Sequence, residues 1–282
     1  MSIKALQTQR NAETRSNWES FAAHRQHVSS LLARAAASTA DRLCVLGAGN
    51  CNDLALDELL THFGHIDLVD LDATALAAGV VRQVAADDRI GRHGDIDVTG
   101  ILDLASKWRP DAPASDAEVD ACIAKAQRAA IALPNAPFQV TASVCLLSQL
   151  VESLVLTLGE THAKFLDLLK TIRLRHLELL FDLTRPGGTV LLISDIVSSL
   201  TCPQVLSAQA AELPRVVADA VSSQNFFTGV NPFVLRMLFE TEPQLAAQVE
   251  SAHLSAPWLW DLGPRTYAVC AVRAVKSQSC RP

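Results

Sequence analysis

A short apolar run that empties directly into a glycine turn, RLCVLGAGNCNDLALDELL over residues 42–60, limits the possible folds more than any other stretch of the chain. Gly47 and Gly49 allow positive φ and let the backbone approach a ligand with no Cβ in the way. Strand, glycine turn and helix in that order open a parallel sheet whose ligands sit at the carboxyl ends of its strands. The alternation continues downstream. A helix is expected from Asn52 to Phe63, stopped at Gly64, then a strand in HIDLVDLD (His65 to Asp72), a helix from Ala73 to Ala86, and a third strand around Arg89 to Val98. Strand and helix in alternation predict parallel pairing with right-handed crossovers.

Between residues 100 and 137 the rhythm breaks. KWRPDAPASDAEV predicts an insertion over the carboxyl ends of the strands, holding one helix that starts near Ser115 with Glu118 in the capping-box position. FQVTASVCLLSQL resumes as a strand running into a helix, Thr161 to Leu183 is a long amphipathic helix, and TVLLISD (Thr189 to Asp195) is a fifth strand. A second irregular region, 197–250, contains a helix start at Asn231-Pro232. The turn at Gly263-Pro264 joins two strand-like runs, so the last strand should lie antiparallel. At the other end, Trp18, Phe21, Val28, Leu31 and Leu32 give Ser16 to Ala37 a helical period. The expected organisation is an N-terminal helical cap (1–40), a Rossmann-like domain (41–275) and a tail (276–282).

The chain has 282 residues, 49% hydrophobic, enough for one large domain with a cap. A net charge of -6 supplies no broad basic field, so nucleic acid is not an expected partner. The opening residues lack the apolar core of a secretory signal. The most apolar stretch, 142–158, is interrupted by Ser148, Gln149 and Glu152 and does not suit a bilayer span. A cytoplasmic protein without a membrane partner is expected. Seven cysteines and eight histidines are scattered without zinc spacing, so no metal site is predicted.

The turn itself is unusual. A dinucleotide fingerprint places its third glycine where Asn52 stands, and Asp53 beside it would repel a pyrophosphate. A carboxylate there suits a ligand with an ammonium or sulfonium, or else simply caps the following helix. Asp70, twenty-three residues after Gly47, can accept both hydroxyls of a ribose. Asp95 or Asp97 in GDIDVTG can accept from an adenine amino group. Arg25 interrupts an apolar helix face. Either its stem packs and its head reaches water, or the helix closes over the site and Arg25, with His24, meets an anionic group. His24 and His27 are the candidate bases. Candidates for an acceptor pocket are Gln149, Asp195, Asn225, Phe226, Phe227, Asn231, Trp258 and Trp260. The two tryptophans are two apart on a strand and so share a face.

Together, VLGAGNCNDL, IDLVDLD, GDIDVTG, QVTASVCLLSQL and RPGGTVLLISD resemble the successive motifs of class I S-adenosylmethionine-dependent methyltransferases over residues 42–275. The resemblance implies a seven-stranded, mostly parallel α/β sheet with its last strand antiparallel and helices on both faces. It implies that Gly47, Ala48, Gly49 and Asn50 surround the methionine part of S-adenosylmethionine, Asp70 and Leu71 the ribose, and Asp97 or Asp95 the adenine. Ser143, Val144, Cys145 and Leu146 would line the cofactor near the methyl group. Val45 stands where the family usually has an acid, and Cys51 where it has a third glycine. The fourth strand lacks the Asn/Asp-Pro-Pro-aromatic element that grips planar amino groups, which leaves a small-molecule acceptor as the leading expectation. A non-catalytic protein that binds the same cofactor and an NAD-dependent oxidoreductase are the alternatives.

Overall fold

The computed structural model describes residues 3–84, 87–109, 112 and 114–278. In chain order the strands are β1 (Arg42–Leu46), β2 (His65–Val69), β3 (Ile90–His93), β4 (Phe138–Val144), β5 (Thr184–Ser198), β6 (Val249–Leu254), β7 (Trp258–Asp261) and β8 (Thr266–Lys276). They form one sheet in the order β3-β2-β1-β4-β5-β8-β6, with β7 also pairing with β8. The first five are mutually parallel, and β8 runs antiparallel to β5, β6 and β7. β6 and β7 pair with successive parts of β8, so they form one edge interrupted at residues 255–257. The sheet therefore has seven positions and eight strands.

The helices are α1 (Ile3–Thr14), α2 (Ala22–Ala33), α3 (Leu56–His62), α4 (Ala73–Gln83), α5 (Leu102–Ala105), α6 (Asp116–Ala126), α7 (Leu146–Thr157), α8 (Phe165–Asp182), α9 (Leu213–Ser222), α10 (Pro232–Thr241) and α11 (Pro243–Ala246). Successive strand side chains face opposite ways, so β1 contributes Leu43 and Val45 to a core with α2, α3 and α4, and Cys44 and Leu46 to a core with α6, α7 and α8. Strands buried on both faces need apolar residues at nearly every position, which explains the unbroken run in LCVL.

Several boundaries differ from the sequence expectation. The N-terminal region forms two helices, because 15–21 is a turn that tucks Trp18 beneath Arg25. The strand predicted over 89–98 ends at His93, and Asp95 takes a positive φ of 59°. The helix after the glycine turn starts at Leu56 with Ala55 as its N-cap, so Asp53 does not cap it. The predicted end of the helix at Ala86 and Cys280 lie outside the described residues. The helix beginning at Asp116 has the expected Ser115–Glu118 capping box, but it packs against α8. Of the described residues in that segment, only Ile101, Leu102 and Ala105 reach the cavity described below. No helix among the described residues is long and apolar enough to cross a membrane, and none of their His, Cys, Asp and Glu side chains cluster in threes fit to hold a metal.

Candidate active site

Strand order reverses between β1 and β4, and the turns that leave these two strands face each other across the gap. Such a switch point is where open parallel sheets bind their ligands. Gly47 (φ +79°) sits so close to the start of α7 that a Cβ there would lie 2.8 Å from Leu146 Cβ. Cys51 adopts φ 54° and Cys145, the N-cap of α7, φ 47°. Both positions are sterically uncommon for residues bearing a Cβ. At Cys51 the chain keeps a glycine-like backbone without glycine.

A cavity of about 740 Å³ opens at this point. Gly47, Ala48, Gly49, Asn50, Asp53, Asp70, Leu71, Asp97, Val144 and Cys145 line one part of it. Gln149, Asp195, Phe227 and Trp260 line another. Asp70 ends β2 with each oxygen held by a backbone N–H: Gly49 donates to Oδ2 at 2.7 Å and Asp72 to Oδ1 at 2.8 Å. Burial pushes its carboxyl above the ordinary value, while these bonds act to lower it. Asp97 is occupied as a cap, accepting from Thr99 N, Thr99 Oγ1 and Leu102 N. Asp95 lies outside the cavity wall and pairs with Lys4 at 2.6 Å.

Asp53 lies in the loop between the glycine turn and α3. His24 Nδ1 accepts from Trp258 Nε1 at 3.1 Å, which leaves Nε2 as the protonated nitrogen of a neutral ring. Nε2 lies 3.2 Å from Asp53 Oδ1 but outside hydrogen-bonding alignment, so both atoms are buried without a bonded partner. Asp53 as a whole is part-exposed and lines the cavity, and a carboxylate on a cavity wall favours a cationic ligand group. Charge on the wall points the same way. Glu13, Asp53, Asp70, Asp97, Glu152, Glu160 and Asp195 line it against Arg10 and Arg265, and Arg10 is paired with Glu152 at 2.7 Å.

The roof is α1. Asn50 Nδ2 donates to Asn11 O at 2.6 Å, Asn52 Nδ2 to Thr14 O at 2.8 Å and Asn11 Nδ2 to Asp72 Oδ2 at 3.2 Å, while Arg10 crosses to α7 through Glu152. The sequence reading gave this covering role to the helix that carries Arg25. That helix packs against α3 and β7 instead. Arg25 stacks on Trp18 at 3.4 Å and donates to the carbonyls of Trp18 and Asn52 at 2.9 and 3.1 Å, away from the cavity wall. Arg82, which sequence reasoning missed, also stacks on Trp18 and ties Asn50 O and Asn52 Oδ1 to α4.

The remaining candidates lie off the wall. His24 is packed between Trp258 and Trp260, and His27 stacks on Trp258 with its pKa lowered by burial. Ser143 faces the opposite side of the sheet, where its Oγ meets buried His176 Nε2 at 2.8 Å. Burial lowers His176 to about 4. Asn225 donates to Thr201 O at 2.8 Å, Phe226 packs in the small core near α9, and Asn231 caps α10.

The strand order, its switch point and the antiparallel C-terminal strand together decide the architecture. The fold is that of class I methyltransferases. No protein-family model matches the chain, and no curated protein is significantly similar to it in sequence. Among solved structures, it is similar to Burkholderia thailandensis 1,6-didemethyltoxoflavin-N1-methyltransferase bound to 1,6-didemethyltoxoflavin and S-adenosylhomocysteine. That match has 12% identity and a TM-score of 0.48, over 98% of this chain and 87% of the other. It is also similar to YcgJ from Bacillus subtilis, at 8% identity and a TM-score of 0.46 over 89% and 99% of the two chains. A third match is human N-acetylserotonin methyltransferase in complex with SAM, at 11% identity and a TM-score of 0.44 over 96% and 56%.

Proposed function

We propose that this protein is an S-adenosylmethionine-dependent methyltransferase acting on a small-molecule acceptor. The observation that carries the reading is Asp70: a carboxylate at the end of β2, fixed by the N–H groups of Gly49 and Asp72, on the wall of a cavity at the switch point. In this position it would hold the ribose hydroxyls. Asp53, a part-exposed carboxylate on the same wall, would take the ammonium of the amino acid part. Arg10 is the nearby cation that faces the cavity from α1. The backbone around Ile96 to Thr99 would border the base.

When bound, S-adenosylmethionine supplies an electrophilic methyl group on a positively charged sulfur. The chain's own task is to align an acceptor with that group and to exclude water, and such positioning can supply much of a rate enhancement. The roof formed by α1 and the apolar lining from Val144, Leu146 and Phe227 suit that task. The acidic wall supports a neutral or cationic acceptor. Asp53 also disfavours the pyrophosphate of NAD at the glycine turn.

Equilibrium dialysis with methyl-labelled S-adenosylmethionine tests the reading. Retention that S-adenosylhomocysteine displaces and NAD does not is the expected outcome. No retention would remove the cofactor assignment, and transfer of label to any acceptor would separate a methyltransferase from a protein that only binds the cofactor.

A further inference from the structure

Asp195 ends the inward-facing part of β5, one strand beyond the turn at Cys145. It is 8% exposed and lines the cavity. Its Oδ1 accepts a short hydrogen bond from Ser148 Oγ on the first turn of α7. Ser148 is the one side-chain donor to this carboxylate among the described residues, and the backbone N–H of Asp195 itself also bears on it. Burial raises this carboxyl to about 6 against the lowering effect of the Ser148 bond. The charged and titratable groups around it are Glu152 and Ser148's neighbour Cys145 on the α7 side, Tyr267 on β8 and His24 behind the wall. A carboxylate that costs free energy to ionise, held by one side-chain donor on a cavity wall, is built to take up a proton.

An aromatic wall stands beside it. Tyr267 and Trp260 pair across β7 and β8 with ring centroids 5.1 Å apart, Phe21 meets Trp260 at 5.2 Å, and Phe227 meets Tyr267 at 6.0 Å. Phe227 N donates to Ile196 O at 2.8 Å, which anchors that ring's backbone to the residue next to Asp195. All four rings line the same cavity. Flat apolar faces in this number suit a planar ring, and the acidic lining excludes an anionic one.

We propose that Asp195 is the catalytic proton acceptor for the methyl acceptor, that Ser148 positions it, and that the acceptor is a neutral aromatic hydroxyl compound seated against Phe227, Trp260 and Tyr267. The proposal rests on the methyltransferase reading. The acceptor O–H bond breaks and its proton passes to Asp195 Oδ2. The freed oxygen pair forms the new bond to the methyl carbon, the carbon–sulfur pair stays on sulfur as a neutral thioether, and Asp195 later releases the proton to water.

Binding of 2-naphthol compared with its methyl ether, 2-methoxynaphthalene, reads the proposal without turnover. 2-Naphthol, like a tyrosine side chain, keeps its proton well above neutral pH. In the wild type the naphthol should bind about tenfold or more tightly than the ether above the midpoint of Asp195, and the preference should vanish below it. Asp195→Asn should lose the pH dependence while binding S-adenosylhomocysteine with wild-type affinity. Ser148→Ala, which tests the same link should the first variant fail to fold, should move the midpoint to higher pH. A preference independent of pH, a pH dependence that survives in Asp195→Asn, or failure of the wild type to bind either naphthalene would overturn the proposal. Absence of S-adenosylhomocysteine binding would overturn the cofactor reading whichever way the naphthol comparison falls.

Discussion

Two buried carboxylates on parallel strands of one sheet have opposite surroundings. Asp67 on β2 is fully buried and each oxygen has a hydrogen-bond partner: His93 Nε2 bonds Oδ1, and Asn135 Nδ2 donates to Oδ2 at 3.1 Å. Asp195 on β5 has one side-chain donor, Ser148, and lines the cavity. Burying a carboxylate is costly unless donors replace water. Asp67 has them and holds two strand edges and a loop together. Asp195 has fewer, which is the condition under which a carboxyl group exchanges protons near neutral pH. The contrast separates the part of the sheet that maintains the fold from the part suited to chemistry.

The largest effect that could break this contrast is at Asp67. Asp67→Ala should cost on the order of 4 kcal/mol in urea denaturation, since it removes the hydrogen bonds to His93 and Asn135 from a fully buried position. Its folded fraction should still bind S-adenosylhomocysteine normally. A mild loss of stability with a large loss of affinity would reverse the roles assigned to the two acids.

His176 gives a second structural reference. Its folded pKa of about 4 lies below the ordinary value of about 6.5, so the unfolded chain binds the extra proton. The stability it contributes is present above the ordinary value and is lost as pH falls towards the folded one. Its contribution to acid sensitivity is on the order of 3 kcal/mol, and His176→Gln should flatten the dependence of unfolding free energy on pH over that window.

Asp195 has the opposite sign. Its folded pKa of about 6 exceeds the ordinary aspartate value of about 3.9, so the folded chain binds the extra proton and stability declines as pH rises between the two. At neutral pH Asp195→Asn should therefore stabilise the protein by on the order of 2 kcal/mol, and the gain should disappear near pH 4. Calorimetric melting at the two pH values checks this. A variant that is less stable at neutral pH would place Asp195 with Asp67. A smaller effect, about 1 kcal/mol, is expected for Arg82→Ala, which frees Asn50 and Asn52 from α4 and should lower ligand affinity more than melting temperature.

Most of the sheet was legible because β1 and β5 carry apolar runs next to glycine turns, whereas β3, Ile-Gly-Arg-His, has no such run and its extent was overestimated. Gly47 and Gly49 marked the first crossover, and Gly263-Pro264 marked the hairpin that makes β8 antiparallel. The break between β6 and β7 falls at Ser255-Ala256-Pro257, where the proline ends one strand before the next begins. The roof was hidden for a different reason. IKALQTQRNAET has only Ile3 buried, and α1 is held by Arg10, Asn11 and the carbonyls of its last turn, contacts with no period in sequence.

Within the site, strand-end acids could be named from the pattern alone, so Asp53, Asp70, Asp97 and Asp195 were all picked out. What each one faces could not be. Asp195 meets a serine forty-seven positions away, and Asp95 is carried off the wall by a positive φ one residue beyond Gly94. Ser143 and Val144 differ by one step of strand alternation, which sends the first to His176 and the second to the cavity. Arg25 broke an apolar stripe, but its solution was Trp18, seven residues earlier on the same chain segment.

The central claim is that the switch-point cavity holds a nucleoside sulfonium through Asp70. Calorimetric titration with S-adenosylmethionine, S-adenosylhomocysteine and NAD, on the wild type and on Asp70→Ala, tests it most directly. Binding of the first two ligands, none of NAD, and a loss of about a hundredfold or more in the variant are expected, corresponding to charge-assisted hydrogen bonds to the ribose. Equal affinity in the two proteins, or preference for NAD, would contradict it.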